Sequence, residues 1–310
     1  MAFSLRKSSD RGCVGLDIDA RYLAAAQVSG GRVVRAASQG LPEGLVRDGE
    51  VSDTQTLGQH LKSFAAAAGL PRSVRLGVAN QQIVVRVVEL PRIEDDKQRD
   101  AAVRFQASEA IAMPLDEAVL DHQVAAYTTG HDGTPRMQVV LVAARRKMIE
   151  TLLEAVKIAG LKADGIDLDA FALVRALAYE EGDEPDQTAR VFCHLGGVTN
   201  LAVAVGPNCY FTRPLSAAWD EDDAGSRLAD EIRLSIDYYM TQPQAKPVEE
   251  VVVSGPGSAD GELVQNIEAH LGIPVKVPAP LGALDGSSIS PNEDPHRYTV
   301  AAGLALGAAA

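Results

Sequence analysis

The residues with the clearest chemical potential sit at the tips of two matched hairpins. The first runs Val14-Gly15-Leu16-Asp17-Ile18-Asp19-Ala20-Arg21 and on to Val28; the second runs Val191-Phe192-Cys193-His194-Leu195-Gly196-Gly197-Val198-Thr199-Asn200 and on to Val205. Each reads as an apolar strand, a polar or glycine turn and a second alternating strand, so each tip can approach a phosphate. Set about one domain length apart, they predict a duplicated α/β unit closed around a nucleotide cleft. Other chemistries have less support. The three cysteines, Cys13, Cys193 and Cys209, lack metal-ligand spacing, and two lie in strand-like runs, so they read as buried reduced thiols. The histidines are scattered, and no catalytic triad or metal site is predicted. Asp167 and Asp169 fall on one face of a short strand, as acid/base work would require. A strand end leading into a helix explains them as well.

Composition narrows the partners. A chain of 310 residues with 46% hydrophobic content fills two ordinary cores, and a formal charge of −13 without clustered Lys and Arg argues against nucleic acid. Met1 to Lys7 is not followed by an apolar stretch of signal-peptide type. The apolar run Ala301 to Ala310 is far short of the roughly 20 residues that span a bilayer. No targeting or membrane-crossing segment is expected.

The positioning elements follow from periodicity and punctuation. Strands are predicted over Val14 to Val28 and Arg32 to Ala37, with Ser29-Gly30-Gly31 as the turn between them. Asp53 opens a helix that closes at Gly69, and strands follow at Ser73 to Ala79 and Ile83 to Leu90. A helix over Lys97 to Met113, stopped by Pro114, can line one face with Ala102, Phe105, Ala110 and Ile111. Strands at Leu120 to Tyr127 and Met137 to Ala143 complete a mixed insert over about 50–143. Beyond it come a helix over Arg146 to Ala159, a short strand at Gly165 to Asp169, a helix to Tyr179, and the acidic linker Glu180 to Asp186, taken as the domain boundary. The second half reads as strands to Pro214, a helix over Gly225 to Thr241, a buried strand at Val248 to Val253, the turn Ser254-Gly255-Pro256-Gly257, a helix over Glu262 to Leu271, a strand at Val275 to Val277, and a small-residue helix over Tyr298 to Leu306.

In this order the motifs resemble the actin-like type IV pilus assembly protein PilM family. The stretches that carry the resemblance are Val14 to Ile18, Ala101 to Ile111 running into Met113-Pro114-Leu115-Asp116-Glu117-Ala118-Val119-Leu120-Asp121, Leu141 to Arg145, Ala159-Gly160-Leu161, Asp167 to Ala172, and Tyr298 to Leu306. The resemblance implies an α/β, actin/Hsp70-like fold of two RNase H-like lobes, here 11–185 and 189–310, with a small α+β subdomain inserted in the first and a C-terminal helix at 298–308. It also implies a scaffold peripheral to the inner face of the cell membrane, binding the N-terminal cytoplasmic tail of a PilN-like single-span membrane protein. Contacts with pilus motor ATPases and homo-oligomers are compatible with it. The tail would lie in a groove between first lobe and insert, met here by Ile83, Val85 and Val87 on a strand and Arg104, Phe105 and Ser108 on a helix. Taken residue by residue, Phe105 reads more readily as core than as a contact, and Arg104 as solvated.

Against the family's nucleotide motifs this chain departs at several points. Asp17 keeps the first acid, but Asp19 stands at the glycine position, Arg21 at the hydroxyl and Ala24 at the lysine. A second carboxylate about 5 Å from a phosphate oxygen is repelled by about 3 kcal/mol at an effective dielectric near 20. His194 replaces the acid that helps hold Mg²⁺, and imidazole is a poor ligand for that ion. Pro256 removes an N–H from the glycine turn, and Leu215 to Val248 leaves no room for the clamp subdomain over the base. No cofactor is therefore expected. If Mg-ATP were retained it would use Asp17, Gly196, Gly197, Thr199, Gly255 and Gly257. The alternatives are an active actin-fold ATPase of the pilus machinery and the scaffold of a type II secretion platform.

Overall fold

The computed structural model describes residues 13–130, 132–178 and 188–307; the acidic linker and the first residues lie outside that range. Two five-stranded sheets repeat one plan. In the first, β1 (Cys13–Ile18), β2 (Tyr22–Ser29) and β3 (Arg32–Gly40) form an antiparallel meander, and β6 (Ser73–Val78) and β10 (Lys162–Leu168) extend it in parallel, in the order β10-β6-β1-β2-β3. In the second, β11 (Ala189–Leu195), β12 (Thr199–Val205), β13 (Asn208–Pro214), β14 (Val248–Ser254) and β15 (Val275–Lys276) give β13-β12-β11-β14-β15, with the same senses. The β2–β3 turn needs left-handed backbone at Gly30 and Gly31, with φ of 57° and 75°. The duplication expected from the two hairpins is present.

Helices pack on these sheets as their apolar stripes dictate. Helix α1 (Thr54–Ala67) is capped by Asp53, whose side chain accepts from the Gln55 and Thr56 N–H groups, and it buries Leu57, Leu61 and Phe64. Helix α5 (Ala224–Met240) turns Leu228, Ile232, Ile236 and Tyr239 onto the second sheet. It is the single helix between β13 and β14, so no clamp subdomain is inserted there.

Two further helices of this unit exchange sheets. Helix α4 (Asp169–Leu177) follows the first sheet's last strand but packs Leu173, Val174 and Leu177 against Phe192, Ala202, Ala204 and Val252 of the second. Helix α7 (Thr299–Leu306) follows the second sheet but packs Ala301, Ala302 and Ala305 against Tyr22, Ala24 and Ala26 of the first. The C-terminal helix, expected within 189–310, therefore covers the first sheet. Its small residues allow close approach: a Cβ on Gly15 would lie 2.0 Å from the Ala301 carbonyl, and one on Gly303 would lie 1.9 Å from the Ala172 carbonyl.

Residues 81–151 form a separate compact unit. Its sheet β7-β9-β8 is antiparallel, built from β7 (Ile83–Pro91), β8 (Ala118–Thr129) and β9 (Pro135–Arg145), and carries α2 (Asp96–Ala110). The insert thus starts at Gln81 and not near 50, because β6 pairs with β1 and α1 belongs to the larger unit. Helix α2 ends at Ala110 and buries Val103 and Ala107, which rotates its core face away from the expected Phe105. Helix α3 (Arg146–Ile158) runs on from β9. Among the described residues no helix is long and apolar enough to cross a membrane.

If the α4–α7 contact is as tight as these distances indicate, Gly303→Ala costs about 3 kcal/mol of unfolding free energy, because backbone must shift. Gly261→Ala, whose Cβ meets nothing within 4 Å, serves as the control and changes stability by no more than about 1 kcal/mol. Urea unfolding of both variants checks this, and equal effects would remove the close-crossing argument.

Candidate functional site

The site forms where the β1–β2 and β11–β12 turns meet. The first turn is closed by the Asp19 N–H, which donates to the Tyr22 carbonyl at 3.0 Å. Asp19 then reaches across 178 residues of chain: its Oδ2 accepts the Gly197 N–H at 2.8 Å and the Val198 N–H at 3.3 Å, 179 residues away. Its Oδ1 accepts the Arg21 N–H at 2.8 Å. A Cβ on Gly197 would lie 2.0 Å from Asp19 Oδ1, so this approach requires glycine.

Arg21 does not pair with Asp19 through its guanidinium. It makes a two-point ion pair with Asp220 at 2.6 and 2.8 Å and lies over the Trp219 ring at 5.6 Å. Trp219 Nε1 donates to the Gly196 carbonyl at 3.0 Å. The Arg21–Asp220 pair is over two-fifths exposed on each side, and such pairs contribute about 0–1 kcal/mol. Hydrogen bonds to a buried charged group contribute about 1.5–3 kcal/mol each. Asp19, at 7% exposure, is thus the stronger tie between the two turns.

Beside the turns lies a polar cavity of about 30 Å³, bordered by Asp17, Asp19, Asp169, His194 and Asn200 and by apolar side chains that include Val46, Val78 and Leu173. That volume holds a water molecule or two. Part of its wall is the hairpin of β4 (Val46–Arg47) and β5 (Glu50–Val51), held by the Asn80 side-chain amide donating to the Asp48 carbonyl at 2.6 Å. Burial, reinforced by Asp169 and Asp19, raises the Asp17 carboxyl well above the usual carboxylate range. Burial next to Asp19 and Asp167 pushes Asp169 up to about 8. Burial raises Asp19 too, against the N–H groups that favour its ionised form. His194 is lowered to about 4 by burial and by His296. Its Nδ1 lies 3.1 Å from Ser254 Oγ, while its Nε2 and Asp169 Oδ1 are buried without a hydrogen-bond partner. At neutral pH Asp169 therefore keeps its proton and His194 is a neutral imidazole.

These residues do not fit Mg-ATP. The N–H groups of the second turn are taken by Asp19, and His194, which borders the cavity, offers an imidazole nitrogen where a hard cation prefers oxygen. Among the described residues no group of three or more His, Cys, Asp or Glu can hold a metal ion.

The expected nucleotide residues gather around the two turns, with Gly255 and Gly257 lying against Leu195. Asp17 lines the cavity, and Gly196 and Gly197 form the turn. Thr199 is buried at the head of β12, where its carbonyl accepts the Leu215 N–H at 2.8 Å. Gly255, with φ of 85°, accepts the Ser258 hydroxyl at 2.7 Å, and a Cβ on Gly257 would strike the Trp219 ring at 2.7 Å. Asp167 and Asp169 have different surroundings: Asp167 meets Arg175 at 2.9 Å and Arg75 at 3.5 Å, whereas Asp169 faces the cavity. Sequence reading missed Asn200, the cavity role of Asp169, and Trp219. The sole tryptophan, next to Asp220, was the available signal.

The groove residues also divide. Ile83, Val85 and Val87 lie on the face of β7 opposite the one that packs Val84 and Val88 into the α2-covered core, and Val85 is buried. Arg104, Phe105 and Ser108 lie on the exposed side of α2, with Phe105 at 69% exposure. The two sets do not form one surface within this unit.

The two meander sheets, the exchanged helices and the facing turns define an actin-like fold. A family model described as type IV pilus assembly protein PilM matches residues 15–203. The chain belongs to that family. A solved PilM-PilN type IV pilus biogenesis complex is similar, with 24% identity over 97% of this chain and 100% of that one and a TM-score of 0.80. The ethanolamine utilization protein EutJ from Carboxydothermus hydrogenoformans shares 14% identity over 97% and 92% of the two chains, with a TM-score of 0.53.

The cavity's titrations carry opposite signs. Asp169 keeps its proton in the folded chain to about pH 8, while an unfolded aspartate loses it near about 3.9, so its stabilising contribution is complete below that and declines as pH rises toward 8. His194, at about 4 when folded and about 6.5 unfolded, destabilises the fold as pH falls between those values. Above about 6.5 only the aspartate effect remains of the two. Asp169→Asn is thus expected to remove a decline of about 2 kcal/mol between pH 6.5 and 8. Urea titrations across that range measure it, and an unchanged slope would contradict protonated Asp169.

Proposed function

We propose that this chain is a docking scaffold of a type IV pilus assembly platform, which binds the N-terminal tail of a PilN-like membrane protein and works without nucleotide. The observation that carries the docking half is Phe105. A large aromatic held 69% exposed on a helix, beside exposed Arg104 and Ser108, is the type of anchor that dominates protein interfaces. Ser108 Oγ donates to the Phe105 carbonyl at 2.6 Å, so the hydroxyl is already engaged and the aromatic and the cation remain as the contacts. β7 lies at an edge of its sheet and can receive an extended tail by backbone pairing. The partner would hold the chain at the inner face of the membrane.

The nucleotide half rests on the cavity of about 30 Å³ and on the single helix α5 where a clamp would stand. Nucleotide pockets need several hundred Å³.

Two measurements test the halves separately. Fluorescence anisotropy with an N-terminal tail peptide of a PilN-like protein from the same organism should show binding weakened about tenfold or more by Arg104→Glu or Phe105→Ala, with the fold intact. Unchanged affinity in both variants removes α2 as the docking face. Calorimetry of the purified chain with Mg-ATP should show no heat of binding, and micromolar affinity would overturn the nucleotide-free reading.

A further inference from the structure

We propose that Asp19 is an internal, tethered anion: its carboxylate occupies an oxyanion site made by the Gly196-Gly197-Val198 turn and thereby closes the two sheets' hairpin turns on each other without any ligand. This deepens the nucleotide-free reading and rests on it.

The geometry is that of anion binding. Successive backbone N–H groups of a glycine turn converge on one oxygen, Asp19 Oδ2, and a third N–H from Arg21 holds the other. Such nests take phosphate or carboxylate because they supply partial positive charge without a counter-ion. The Arg21 side chain is committed to Asp220, so backbone donors alone make hydrogen bonds to Asp19. The carboxylate is also deep. It is 7% exposed and within reach of Asp17 and Asp169, where an ionised group survives only if well bonded. A side chain on Gly197 would overlap Asp19, so the turn is shaped to receive it. The latch of Trp219 on Gly196 and on Gly257 adds no charge to the site.

If the site is an occupied oxyanion site, emptying it uncovers it. Asp19→Gly removes the internal anion and leaves the Gly197 and Val198 N–H groups facing open space, a binding place for inorganic phosphate or another small oxyanion. Trp219, the chain's sole tryptophan, donates to Gly196 and reports on the turn directly.

The experiment titrates inorganic phosphate, with chloride at matched ionic strength as reference, into the full wild-type chain and Asp19→Gly while following Trp219 emission and melting temperature. The expected result is a saturable emission change and a phosphate-dependent rise in Tm in Asp19→Gly, with an apparent affinity at least about tenfold above the wild type. If Asp19→Gly does not fold, Asp19→Ser, which keeps a small polar side chain and loses the charge, is read the same way. A variant that is as indifferent to phosphate as the wild type overturns the proposal, as does a wild type that responds equally. Wild-type binding of Mg-ATP would instead sink the nucleotide-free reading, so the two failures are told apart.

Discussion

Two hairpin turns separated by most of the chain are joined through one buried carboxylate. Asp19 accepts the Gly197 and Val198 N–H groups and the Arg21 N–H, and the placement of Asp17, Asp169 and His194 around a small cavity follows from that closure. Removing a carboxylate from water is costly, and only multiple N–H donors make an ionised group tolerable there. Burial biases the surrounding groups toward their neutral forms: Asp17 and Asp169 are pushed up and His194 down. The cavity at this seam has room for a water or two.

The helix exchange makes this closure rigid. Helix α4 packs on the second sheet and α7 on the first, and they touch where Gly303 passes the Ala172 carbonyl. Any motion that separated the sheets would have to break both packings as well as the Asp19 bonds. The insert at 81–151 has its own core of Met137, Val139 and Leu141.

Much of the fold was legible because hairpins and capped helices announce themselves locally. Ser29-Gly30-Gly31, Asp53 with Gly69, and Gly160 mark turns and helix ends where the structure has them. Long-range choices were not. The alternation of β6 identifies a strand without saying that it pairs with β1, so the insert was drawn about thirty residues too early. The small-residue run at 299–306 is apolar all round, so periodicity could not say which sheet it covers. On α2 two alanine-rich faces compete, and the buried one holds Val103 and Ala107, which leaves Phe105 outside. At the site, Asp19 was visible as a departure from the family's glycine and read as an obstacle to phosphate. Its hydrogen bonds to Gly197 and Val198 depend on contacts that no spacing rule supplies.

The central claim, that the chain's own carboxylate holds the second turn, is tested most directly by the Gly197 and Val198 amides. Residue-resolved hydrogen exchange on the ligand-free protein should find both strongly protected in the wild type. Protection should be lost in Asp19→Ala, which removes the acceptor, while the neighbouring β11 and β12 amides stay protected. Amides of Gly197 and Val198 that exchange at the rate of an open turn in the wild type would contradict the account.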